Sequence, residues 1–176
     1  GPDVRVLVTG LHVTDVRRAH AFYTQVLGLR EVLVVPAHDL CILGPSSGWE
    51  MGAQINLEPI EDDATRAWSE HQLRAGLAAL MLAVDDTDEA LRRATAGGAA
   101  VTREPYEAYG SRTATIIDPY GHRWMLTGPT LAARASTSEP PAARIRHGDI
   151  GFISVNTHDA ARARAFYGAV LGWEFD

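Results

Sequence analysis

Cysteine is almost absent from this 176-residue chain. Cys41 stands alone, which excludes a disulfide framework, and its place in the apolar run Leu40-Cys41-Ile42-Leu43 fits a small buried hydrophobe better than a nucleophile. No stretch approaches the roughly 18 apolar residues that span a bilayer, and the N-terminus lacks a basic region followed by an apolar core. A cytoplasmic protein with no membrane partner is expected. Basic clusters are missing too: the formal net charge is −6, so no electrostatic footprint for nucleic acid exists. There is no nucleophile elbow, no glycine-rich phosphate loop and no Cys/His zinc spacing, and Glu70-His71 lacks the rest of a zincin motif.

What the chain does contain is a repeat. The run from Leu11 to Leu29, carrying Ala21-Phe22-Tyr23 and Leu27-Gly28, returns 144 positions later as Val155 to Trp173, with Ala165-Phe166-Tyr167 and Leu171-Gly172. Each copy has an apolar strand, an aspartate suited to cap a helix start (Asp15, Asp159), an amphipathic helix, and a glycine suited to the residue after its last turn.

Between the copies the pattern reads as two strand-helix-three-strand modules. The first has strands at Val4–Val13, Glu31–Val35, Leu40–Leu43 and Gly52–Leu57 and a helix at Val16–Leu27. Asp62–Arg74 suits a short connecting helix or an ordered loop. The second has strands at Leu77–Val84, Ala100–Thr102, Thr113–Ile117 and Trp124–Leu126 and a helix at Thr87–Ala96 that stops on Gly97-Gly98. From Gly128 to Gly148 the composition shifts to Ala, Ser, Thr, Pro and Arg around Pro140-Pro141, which marks a linker. The expected organisation is a complete domain over residues 3–129, a linker over 130–147, and the opening strand-helix segment of a second domain over 148–176.

These residues resemble the vicinal oxygen chelate superfamily, which includes glyoxalase I, extradiol dioxygenases and the fosfomycin- and bleomycin-resistance proteins. The likeness rests on the strand-aspartate-helix opening with Phe22-Tyr23 and Leu27-Gly28, and on the closing run Asp118-Pro119-Tyr120-Gly121-His122-Arg123-Trp124-Met125-Leu126, whose Gly-His-x-Trp variant resembles the PhnB-like branch. The resemblance implies an α+β fold in which paired βαβββ modules form a curved mixed sheet, a cup with its helices outside.

It also implies where a metal would sit. Metal-using members hold a divalent ion through His or Gln on a module's first strand and Glu on its last, leaving positions open for two neighbouring substrate oxygens. Counting from the motifs, those positions are Val8, Ala79 and Met125, while the fourth falls at Gln54, Asn56 or Glu58; in the partial repeat the first-strand position is Phe152. Such a set predicts no metal and no cofactor.

His12 lies four residues from Val8 and shares its face, so it is expected to point into the cup. It reads either as a hydrogen-bonding or proton-transferring group for a bound molecule, or as a rim histidine satisfied by a neighbour. His122 reads as a turn residue, Trp124 as core on the face opposite Arg123 and Met125, and Met81 and Ala83 as facing that pair. The loop Glu104–Arg112 brings Tyr106 and Tyr109 near the presumed mouth, where they either stack on a ligand or stand exposed. The candidate ligand-binding set is His12, Gln54, Asn56, Met81, Tyr106, Tyr109, Arg123 and Met125. The expected function is metal-independent binding of a small molecule, an antibiotic or other natural product, as in the bleomycin-resistance type. The alternative is an enzyme of the same superfamily, with its metal in a further domain or with His12 as acid or base. The apolar stripe Phe152, Ile153, Phe166, Tyr167, Val170 and Leu171 is expected to dock on a neighbouring chain, as in a homodimer, or on the first domain.

Overall fold

A computed structural model describes residues 4–38, 40–48, 52–136, 148, 150–153 and 155–171. The first module comprises β1 (Val8–Val13), α1 (Val16–Gln25), β2 (Arg30–Val35), β3 (Leu40–Gly44) and β4 (Gln54–Pro59). The connecting segment is helical, α2 (Asp63–Arg74). The second module comprises β5 (Leu80–Ala83), α3 (Thr87–Ala96), β6 (Ala100–Ala108), β7 (Ser111–Ile117) and β8 (Arg123–Pro129), followed by α4 (Leu131–Ala135), β9 (Ile150–Ile153) and α5 (Ala160–Leu171).

Two mixed sheets result, in the orders β1-β4-β3-β2 and β6-β7-β8-β5-β9. In each module the first and last strands pair in parallel, as in the matched pairs Val8 with Gln54 and Met81 with Met125. β1 begins at Val8 rather than Val4, because the Gln54 amide donates to the Leu7 carbonyl at 2.9 Å and β4 offers no partner before that point. Period-two alternation sends Leu11 and Val13 into the core and leaves His12 on the other face.

The helices start where the sequence expects. Asp15, Asp62 and Asp86 each accept from a backbone amide three residues on, which satisfies one orphan donor of the first turn. α1 does more than cover its own sheet. Its Phe22 and Tyr23 rings pack edge-on against Tyr120 from the second module, with centroids 5.8 and 6.2 Å away, and Tyr23 lies 5.1 Å from Trp124. A Cβ at Gly97 would stand 2.9–3.0 Å from Val26 and Phe22 atoms, so glycine permits α1 to meet the end of α3. A single apolar cluster therefore contains residues of both modules.

At its centre lies Asp118, which is buried. Its Oδ2 accepts from the Tyr23 hydroxyl and from Trp124 Nε1 (2.7 Å), and its Oδ1 accepts the Tyr120 and His122 amides at 2.8 and 3.0 Å. The aspartate of the closing motif thus ties the turn before β8 to the Phe-Tyr motif of α1. Burial, and then the Asp118 charge, push the Tyr23 hydroxyl well above its ordinary value near 10. A raised folded-state value stabilises below the unfolded value and is lost as pH climbs past it. Tyr23→Phe is accordingly expected to cost about 1–3 kcal/mol at pH 7 and to flatten the loss of stability above roughly pH 10, measured by denaturant unfolding at pH 7 to 11. An equally steep alkaline decline in the variant would contradict this assignment.

Two expectations change. β6 runs to Ala108, with pairing shifts after Val101 and Arg103, so the expected Glu104–Arg112 loop shrinks to a turn at Tyr109-Gly110. Both turn residues have positive φ, the geometry that fits a tight right-twisted hairpin. Part of the expected linker, Leu131–Ala135, is helical. Thr130 caps α4, and Arg134 pairs with Asp86 and with Asp88 at 3.3 Å, fastening α4 to the start of α3. Residues 137–147, and the repeat positions Gly172 and Trp173, lie outside the described residues.

β9, the counterpart of β1, lies antiparallel along the edge of β5, with Phe152 level with Met81 and Ile153 level with Leu80. The Gly148 amide donates to the Ala83 carbonyl at 2.8 Å. Residues 150–153 therefore extend the second sheet as its edge strand. α5 follows with Phe166 and Val170 58% and 61% exposed, whereas Phe22, the counterpart of Phe166, is 4% exposed.

Candidate functional site

The face of the first sheet turned away from α1, helix-free except where α2 stands over the cavity at Gly10 and His12, is polar. The β1–β4 register sets Val8, Gly10 and His12 against Gln54, Asn56 and Glu58. His12 Nε2 lies 3.1 Å from Glu58 Oε2, and Asn56 Nδ2 donates to Glu58 Oε1 at 3.2 Å. Gln54 is buried beside them, and the Asn56 Oδ1 is buried without a hydrogen-bond partner. Glu58 was absent from the expected ligand-binding set. Alternation along Gln54–Glu58 together with a parallel partner for β1 was the signal that could have found it.

The same face of the second sheet is softer. Met81 is level with Met125, which is level with Thr115; one step along, Thr127 is level with Thr113, whose hydroxyl lies 3.1 Å from that of Thr127. Tyr106, level with Thr113, lies under the Arg103 guanidinium, 3.6 Å from the ring centroid. These rows bring Met81, Met125 and Tyr106 together, with Thr113 and Thr115 as polar neighbours that the sequence reading missed.

Two candidates are placed elsewhere. Tyr109 stands fully exposed at the hairpin tip. Arg123 donates through Nη2 to the Leu73 carbonyl at 3.0 Å, capping the end of α2, while its Nε is buried without a partner. His122 is a buried turn residue whose Nε2 lies 2.5 Å from the His12 carbonyl. That contact links the end of β1 to the start of β8. Beside it, Gly10, His12, Ser69, Gln72, Ala79 and His122 are among the residues around a cavity of about 170 Å³ beneath α2. Trp124 is fully buried on the opposite face from Met125.

For the fourth metal position that the resemblance implies, the strand registers allow the two modules to be compared. The Ala79 amide donates to the Arg123 carbonyl at 2.8 Å, and the β5–β8 register continued back one residue sets Ala79 level with Arg123. Met125 is two residues beyond that partner. The same step from Gln54, the partner of Val8, reaches Asn56. Val8, Asn56, Ala79 and Met125 offer two aliphatic groups, a thioether and one amide, a donor set that does not fit a divalent cation. Among the described residues no group of three His, Cys, Asp or Glu side chains could hold a metal ion, and no helix is long and apolar enough to cross a membrane.

The sequence profile described as Glyoxalase/Bleomycin resistance protein/Dioxygenase superfamily matches residues 5–126. Among solved structures, the chain resembles UcmS2, with a TM-score of 0.59 and 20% identity over 72% of this chain and 98% of that one. It resembles TnmS3, an antibiotic binding protein from Streptomyces sp. CB03234, with a TM-score of 0.54 and 20% identity over 73% and 98% of the two chains. Glyoxalase I from Zea mays matches with a TM-score of 0.64 and 21% identity over 96% of this chain but 55% of its own. Likeness at these identities is likeness of fold. No curated protein matches the sequence.

Proposed function

Since the chain belongs to the Glyoxalase/Bleomycin resistance protein/Dioxygenase superfamily, we propose that it binds an organic small molecule on its helix-free sheet faces without a metal, in the manner of an antibiotic- or natural-product-binding protein. The observation that carries this reading is the side-chain set Val8, Asn56, Ala79 and Met125 at the four metal positions. A thioether row with threonine hydroxyls and an unpartnered amide oxygen suits an apolar, partly planar ligand that offers one or two hydrogen-bond donors. A similar fold in TnmS3, an antibiotic binding protein, supports the choice of ligand class.

A second reading rests on His12 and Glu58. A histidine held 3.1 Å from a carboxylate is the arrangement of an oriented acid-base pair, and it favours a metal-free enzyme of the same superfamily. One set of measurements separates the two. Elemental analysis is expected to find no stoichiometric Fe, Mn, Ni or Zn, and a thermal-shift screen of antibiotics and aromatic natural products to give a hit whose affinity changes less than about tenfold in His12→Ala. One tightly held metal per chain would overturn the first reading. Turnover of a hit compound that His12→Ala abolishes would install the second.

We also propose that residues 148–176 are the opening of a second domain. The 144-position repeat and the pairing of β9 on β5 support it. The exposed Phe166 and Val170 need the kind of sheet that covers Phe22 in α1, and a second copy of the chain supplies one. Sedimentation at the single-chain mass across all concentrations would contradict that homodimer.

A further inference from the structure

An open, ligand-sized space lies away from both helix-free faces. It is a groove of about 460 Å³, within the range of small-molecule sites, between the first turns of α1 and the β2–β3 hairpin. Ile42 is level with Asn56, so its neighbour Cys41 faces the opposite side of the sheet, where α1 lies. The floor and walls are Val16, Val34, Leu40, Cys41, Pro36 and Pro59.

Two basic side chains of α1, Arg17 and His20, rim this apolar surface. They are committed differently. His20 Nε2 lies 2.7 Å from Glu31 Oε2, so the imidazole and that carboxylate are committed to each other. Arg17, exposed at the rim, has no ion pair and no hydrogen bond among the described residues. An uncommitted guanidinium at the edge of an open apolar groove is complementary to a molecule with an apolar body and one anionic head, because the fork of N–H donors meets a carboxylate or sulfonate in two parallel bonds.

We propose that this groove is a second binding site, distinct from the helix-free faces, for an amphipathic monoanion of fatty-acid type, with Arg17 holding the head and Val34, Leu40 and Cys41 the chain. The site makes no use of the repeat's metal positions and stands whether or not the first proposal holds.

Dodecanoate is the probe. In titrations followed by amide NMR, it is expected to saturate with shifts concentrated at residues 16–20 and 34–42. Arg17→Glu is expected to weaken its Kd at least about tenfold, because an attractive ion contact becomes a repulsive one. Val34→Asp, at an exposed wall position, is expected to do the same. Both sites face solvent, so unchanged melting temperatures confirm that the variants remain folded. Shifts centred on Met81, Thr115 and Met125, a Kd indifferent to Arg17→Glu, or equal affinity for uncharged dodecanol would each overturn the assignment.

Discussion

Asp118→Ala is expected to lower the unfolding free energy by about 4 kcal/mol, among the largest effects of any single substitution in this chain. The carboxylate accepts four hydrogen bonds in a buried setting: two from the backbone of its own turn, one from Tyr23 and one from Trp124. Removing it leaves the Trp124 N–H and two amides without partners inside the core, at roughly 1–3 kcal/mol for each unsatisfied group before relaxation. The Tyr23 hydroxyl loses its acceptor as well. Because Tyr23 belongs to α1 and Trp124 to β8, the loss also loosens one module from the other. Asp118→Asn separates the contributions. Its amide oxygen can keep the two backbone bonds, and the Tyr23 hydroxyl can turn to accept from the new NH₂, while the Trp124 N–H has no such option. A cost near half that of alanine is expected in urea titrations, and a loss below about 1 kcal/mol for Asp118→Ala would show that the turn does not depend on its carboxylate.

Met125→Glu is expected to abolish ligand-induced stabilisation, with at least about a hundredfold weaker binding of the best thermal-shift hit. Met125 sits between Met81 and Thr115 on the second sheet's helix-free face. A carboxylate there faces an apolar ligand with its charge unpaired, and desolvating it on binding opposes association. The position is half-buried rather than buried, so the charge stays hydrated in the free protein and the fold survives. Met81→Leu is the companion variant: it preserves apolar volume and is expected to alter affinity by less than about tenfold. Binding of the same hit unchanged in Met125→Glu would move the ligand off this face, and calorimetry on the folded variant measures it directly.

Much of the fold was legible along the chain. Capping aspartates fix three helix starts, alternation fixes which strand residues are core, and the Phe-Tyr and Asp-Pro-x-Gly motifs mark a module's opening and a domain's closing strand. What the sequence could not supply was partnership. Glu58 became relevant only when β4 paired with β1 and brought it to His12. Arg123 read as a ligand group, yet the end of α2 claims it, a contact fifty residues away in sequence. Tyr109 read as a loop aromatic, and the extension of β6 turned that loop into a two-residue hairpin turn that holds the ring in solvent.

The repeat, the alternation and the motif spacing were determined by the sequence alone, because each is a local property: a period of two or 3.6 residues, or a landmark at a fixed count from another. The ligand positions themselves come from the family resemblance, which, counted from those landmarks, implies Val8, Ala79 and Met125. The fourth rests on the strand register, from which Asn56 is proposed. Whether Gln54, Asn56 or Glu58 takes that place depends on how two strands more than forty residues apart slide past each other, and register is set by pairing and packing rather than by either strand on its own. The same holds for the groove at Arg17, whose walls come from one helix and three strands of the first module and exist only once those elements meet.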